Sequence, residues 1–105
     1  MILFDYVGSR SLYLPREATS SEELWSRLLS AAEAVGAGRF FSGETSPAIL
    51  DDHTPFLRQG VAAVDLIDWR YPGHSLADGL DRLSRQSIDG VGETVVQLIA
   101  ELRRE

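Results

Sequence analysis

The chain has 105 residues, 44% of them hydrophobic, a formal net charge of −6 and no cysteine. That length is one small domain and excludes a multidomain enzyme; the acidic balance argues against a nucleic-acid or anionic-membrane surface. The missing cysteines remove disulfides, thiol catalysis and cysteine-ligated metal sites. All ten basic residues are arginine, which reads as a coding bias, because arginine and lysine are both ordinary surface residues. The longest unbroken apolar run is four residues, too short for a membrane helix or a signal-peptide core.

Residues 1–8 open on Met1-Ile2-Leu3-Phe4 and then Asp5-Tyr6-Val7-Gly8. A nearly all-apolar start predicts a strand buried on both faces. Residues 11–14 alternate and predict a second short strand stopped by Pro15. Residues 20–35 carry the clearest helical pattern. Ser20 and Glu23 have the spacing of a capping box. Leu24, Leu28, Ala31, Ala32 and Val35 form one apolar stripe, which Gly36 and Gly38 end.

Phe40-Phe41 predicts a brief strand, and 43–47 a loop. Thr54 before Pro55 predicts a short helix that Gly60 stops. Residues 61–67 are β-branched and apolar and predict a buried strand interrupted by Asp65; 68–79 predict a loop. Ser84 caps a last helix to about residue 104, with Ile88, Val91, Val95, Ile99 and Leu102 as its buried stripe. Gly90 and Gly92 inside it each cost about 1 kcal/mol relative to alanine and suggest close packing against a neighbour. Strands and helices alternate, so the fold class is α/β. The chain reads as a single domain.

The chain holds two histidines, His53 and His74. Both stand beside acids: His53 follows Asp51 and Asp52, and His74 precedes Asp78 and Asp81. Imidazole with carboxylates is a donor set for zinc, and equally an ordinary arrangement of helix caps and solvated loop acids. Asp5 is the most unusual acid, because it interrupts a strand-like apolar segment. A buried carboxylate needs a partner or a metal. Its place near the strand's C-terminal end is where open α/β sheets form sites. Trp69 and Tyr71 flank the His74 loop and would give a substrate pocket an apolar wall. No nucleophile elbow, phosphate loop or dinucleotide fingerprint is present.

These segments together resemble a known family. Leu3-Phe4-Asp5-Tyr6-Val7-Gly8 resembles the L-L-D strand of the M28 zinc aminopeptidases and their glutaminyl-cyclase-like relatives. The stretch from Asp51-Asp52-His53-Thr54-Pro55-Phe56-Leu57 to Gly60-Val61 resembles their D-D-H-x-P-F-L segment. Val64-Asp65-Leu66-Ile67-Asp68, then Tyr71-Pro72 and His74, resembles the strand and loop that carry the last zinc-ligand histidine. Residues 84–96 resemble the closing helix. The D-D-H wording leans toward the cyclase-like branch.

The resemblance implies a partial three-layer α/β/α fold with a mixed, mostly parallel sheet, corresponding to the C-terminal part of the family's catalytic domain. It implies that His74 is a metal ligand. Asp5 would be a second-zinc ligand or, in the cyclase-like branch, part of a hydrogen-bonded network with Asp51. His53, Trp69 and Tyr71 would line the substrate pocket. Two departures stand out: Gly73 occupies the place of an aromatic before the ligand histidine, and Asp78-Gly79 replaces the usual D-T.

The family's other histidine, its bridging aspartate and its adjacent glutamate pair, which supplies the general base, have no counterpart in these residues. One histidine and one or two carboxylates fall short of the three protein ligands of a catalytic zinc. The expectation is therefore a chain inactive alone, whose zinc site needs the N-terminal portion of the domain or a second copy. The complete enzyme would take a peptide substrate. The competing reading is a non-catalytic α/β module kept for binding or assembly. Family members are often exported, and the sequence carries no signal segment that would place this one.

Overall fold

Four short strands and three helices build the chain, and the computed structural model describes all 105 residues. In order they are β1 (Ile2–Asp5), β2 (Leu14–Glu17), α1 (Glu22–Ala34), β3 (Phe41–Ser46), α2 (Thr54–Arg58), β4 (Val64–Ile67) and α3 (Arg85–Leu102). Single 3-10 turns occupy Gly38–Phe40 and Leu80–Arg82.

β1 pairs with β4 in parallel, Ile2 opposite Val64 and Asp5 opposite Ile67. β2 pairs with β3 in parallel, with a register shift between Leu14 and Arg16. β2 and β4 lie side by side without a ladder of their own. Two bonds stitch them: the Ser21 N–H donates to the Ala63 carbonyl at 2.8 Å, and the Asp65 N–H donates to the Ser20 hydroxyl at 2.9 Å. Helices connect parallel strands, as α/β architecture requires. One isolated antiparallel bridge joins Ser9 to Leu83.

The pleat sorts the residues of β4. Val64 and Leu66 point to one face and join Leu12, Leu14, Trp25, Leu28, Phe40, Val91, Val95 and Leu98 in the core under α1 and α3. Asp65 and Ile67 point the other way, toward α2. The parallel register puts Leu3 and Asp5 of β1 on that second face as well. Two carboxylates from neighbouring strands thus share one side of the sheet.

Several expectations shift. β1 is not buried on both faces: Phe4 is 47% exposed, because β1 pairs with β4 alone and forms an edge. Pro15 does not stop the second strand. It sits inside β2 at the register shift, where a missing N–H costs the ladder little. The expected loop at 43–47 is mostly strand.

The capping serine of α1 is Ser21, whose hydroxyl accepts from the Leu24 N–H at 3.2 Å. Ser20 is released for a different task, described below. α3 is turned from the expected stripe: Ile88 and Ile99 are about half exposed, while Ser87, Gly90, Thr94 and Leu98 are buried. Gly90 is where the Phe40 ring presses onto the helix, and a Cβ there would collide with it. Gly92 faces open space, so the close-packing expectation holds for one of the two glycines.

Candidate active site

β2 ends on Glu17, β4 carries Asp65, and the turn into α2 carries Asp51 and His53. Glu17, His53 and Asp65 are all fully buried. Glu17 is the anchor. Its Oε2 accepts the N–H groups of Thr19 at 3.1 Å and Ile49 at 2.8 Å. Its Oε1 accepts the hydroxyls of Thr19 at 2.7 Å and Ser20 at 3.1 Å. His53 Nε2 lies 3.0 Å from the same Oε1 and 2.9 Å from Thr19 Oγ1. Because the Thr19 proton is already committed to Glu17, the imidazole proton sits on Nε2 and is donated to the carboxylate. Burial alone would push the Glu17 carboxyl up, but these donors outweigh it and hold the group below its ordinary range.

The other imidazole nitrogen, Nδ1, lies 3.5 Å from Asp65 Oδ2. From there a row of carboxyls crosses the sheet face to Asp51 and Asp5. Burial pushes Asp65 up to about 8, with the Asp51 hydrogen bond and charge adding to it. Asp5 is pushed to about 6, again by burial first and then by Asp51. Asp51 goes the other way. Burial would raise it, but hydrogen bonds from Asp65, the Asp52 N–H and Asp5 hold it below its ordinary range. The backbone bond from Asp52 measures 2.7 Å.

The buried Asp51 Oδ2 and both Asp65 carboxyl oxygens meet no protein N–H or O–H donor. Such orphaned acceptors are costly as anions side by side. A proton on Asp65, donated to Asp51, pairs one oxygen of each, while the second Asp65 oxygen and His53 Nδ1 still meet no partner within the chain. Asp51 is then ionised beside a neutral Asp65, and Asp5, at about 6, changes state just below neutral pH.

The row opens outward at Asp5. Tyr6, directly after it, takes a left-handed backbone at φ 56°, and His74 does the same at φ 57°. These conformations are uncommon for residues with side chains and cluster where function over-determines the backbone. The Tyr6 ring stacks on Tyr71 at 5.2 Å between centroids and meets the His74 ring edge-on at 6.3 Å. Gly73 is explained here: a Cβ at this position would collide with the Tyr6 ring. The aromatic expected before His74 is absent because Tyr6 takes up that space. His74 is exposed and close enough to Asp5 that its charge favours the ionised carboxylate.

Asp5, Asp51 and His74 therefore meet along one rim. His53, expected at the substrate pocket, is fully buried beneath it and reaches no solvent. Tyr71 is half-buried on the rim, and Trp69 is 47% exposed on the same loop. Sequence reasoning missed Glu17 and Ser20 and gave Asp65 a lesser place. An acid ending the strand-forming Leu14-Pro15-Arg16-Glu17 was the available signal for Glu17, obscured by Pro15. No three histidine, aspartate or glutamate side chains of this chain converge as a metal site. The donors present do not make a complete zinc site, and His74 and Asp5 are at most part of one.

Parallel strands flanked by helices, with Asp5 and Glu17 closing β1 and β2 and Asp65 on β4, define an α/β domain whose acids gather on one side of the sheet. The sequence model of peptidase family M28 matches residues 1–99, and the chain belongs to that family. The fold matches the Acidobacteriales bacterium glutaminyl cyclase with a TM-score of 0.88 at 29% identity, covering 99% of this chain and 39% of that one. It matches the Fimbriiglobus ruber glutaminyl cyclase at 0.86 and 29%, covering 93% and 35%. A leucine aminopeptidase precursor from Bacteroides thetaiotaomicron matches at 0.85 and 26%, covering 93% and 36%. The chain thus spans well under half the length of the solved structures it resembles.

Proposed function

We propose that this chain is the C-terminal portion of a zinc-dependent M28 catalytic domain of the glutaminyl-cyclase-like or aminopeptidase type. The observation that carries this reading is the row of carboxyls from buried Asp65 through Asp51 to half-buried Asp5, lying on one side of the sheet with His74 at its open end. In this reading the row stores a proton beside the reacting atoms and keeps it exchangeable. Asp51 orients its neighbours, and the Glu17–His53 anchor fixes Asp65 beneath them. Tyr71 and Trp69 give the rim an apolar wall for a peptide side chain. Zinc, held in part by His74 and Asp5, would supply carbonyl polarisation, with the remaining ligands and the general base coming from residues outside these 105.

Two experiments test the reading. The chain alone, with zinc added, should turn over neither an N-terminal glutamine peptide nor a leucyl nitroanilide. A chimera joining it to the preceding part of the Acidobacteriales cyclase should bind zinc and turn over one of them. Asp51→Asn should lower that turnover without loss of the fold. A folded chimera that binds no zinc and turns over nothing would favour the non-catalytic module instead.

The partner follows from β1. Its outer edge is unpaired and Phe4 is exposed on it. Such an edge recruits another strand, from the preceding part of the domain or from a second copy. Sedimentation of the chain at high micromolar concentration should show association, and a clean monomer would contradict this.

A further inference from the structure

A cleft of about 560 Å³ opens between the segment after β1 and the loop after β4, and three arginines line it: Arg10, Arg70 and Arg82. That is a concentrated positive feature on a chain whose net charge is −6. We propose that this cleft binds an oxyanion, a carboxylate or phosphate group, through these three guanidinium groups.

Arg10 and Arg82 keep their terminal nitrogens free, and Arg70 shares its charge with Asp68. Arg10 donates its Nε to the Asp81 carbonyl at 2.8 Å, and its backbone N–H to the Arg82 carbonyl at 2.9 Å. Its terminal nitrogens remain free for a ligand. Arg70 lies over the Tyr13 ring at 4.3 Å, and its Nε is 3.8 Å from Asp68, so its plane is held by stacking. Arg82 makes no ion pair, and neither does Arg10.

Two acids, Asp68 and Asp81, also line the cleft and offset part of this charge, but the arginines outnumber them. Asp68 is buried and spends its oxygens on the N–H groups of Tyr13 at 3.1 Å and Arg70 at 3.3 Å. The Asp81 carboxylate is turned against Gly79, where a Cβ would stand 2.9 Å from its Oδ1. Free guanidinium forks of this kind match the geometry of carboxylate and phosphate oxygens. Tyr71 lines the cleft and also stacks on Tyr6, so the cleft opens beside the His74 rim. A carboxylate on the same ligand that occupies the rim, or a separate phosphate, are the two sources this chemistry admits.

The test is calorimetric titration of the whole chain with inorganic phosphate and, separately, with succinate, at constant ionic strength. Saturable binding of either probe is expected, and the tighter of the two names the source. Arg82→Gln and Arg70→Gln should each weaken it about tenfold, the loss of one charge-assisted hydrogen bond. Both side chains are exposed, so the variants should keep the fold, which circular dichroism checks. Arg58→Gln, on exposed α2 away from the cleft, should leave binding unchanged. No saturable binding of either probe, or an equal loss in Arg58→Gln, would overturn the proposal. None of these outcomes depends on peptidase or cyclase turnover.

Discussion

The two ends of the carboxyl row are built on opposite terms. At the buried end Glu17 accepts bonds from Thr19, Ser20, Ile49 and His53, and no water is needed to satisfy it. At the open end Tyr6 and His74 hold left-handed backbones, and the Tyr6 ring meets both His74 and Tyr71. The first end is a fixed foundation; the second is a shaped edge facing outward. A site of this kind draws its precision from the closed end and leaves room for reaction at the other.

The sharpest way to break the comparison is at the foundation. Glu17→Ala removes an acceptor from groups on four neighbouring residues and leaves His53 buried without its carboxylate. A loss of about 3–5 kcal/mol in denaturant unfolding is expected, because each buried donor left without its acceptor costs about 1–3 kcal/mol. At the open end, His74→Ala should change stability by less than about 0.5 kcal/mol, as for an exposed position. A comparable loss at both would erase the distinction.

The next effect is on pH. Asp65 has a folded value of about 8 against an ordinary 3.8. A carboxyl raised on folding keeps its proton while the unfolded chain releases one. Its favourable contribution is whole below the unfolded value and declines as pH rises through the folded one. Urea unfolding should therefore show Asp65 subtracting stability progressively from about pH 4 to about pH 8. Asp65→Asn should flatten that decline. A slope unchanged in the variant would mean that Asp65 is ionised in the folded chain.

Smaller again is the pair of glycines. Gly73→Ala should cost about 1–3 kcal/mol, because its Cβ must displace the Tyr6 ring. Gly92→Ala, which meets nothing, should stabilise by up to about 1 kcal/mol through helix propensity alone. Differential scanning calorimetry of both variants checks the contrast.

The sequence made the α/β class, both long helices and the short one at Thr54 legible, because periodicity and caps are local signals. Asp5, Asp51 and His74 were legible through short ordered motifs. What remained hidden was decided by tertiary contact. Ser20 has the spacing of a cap, yet its hydroxyl serves Glu17 and the Asp65 N–H, and Ser21 caps instead. His53 follows two acids in sequence, and burial against Glu17 rather than exposure to a ligand is fixed by how β2 lies against β4. On α3, Gly90 signalled close packing, but helical periodicity did not encode that Phe40 seats there or that Ser87 and Thr94 face inward with it.

The central claim is that the three aspartates divide their protons unequally, Asp51 the most acidic and Asp65 the least. Carboxyl-carbon NMR titration of the folded chain, with Asp5, Asp51 and Asp65 assigned, tests it directly. The account predicts that Asp51 is ionised well into acid, that Asp5 titrates near 6 and that Asp65 keeps its proton to near 8. Three carboxyls titrating together near the ordinary 3.8 would contradict it.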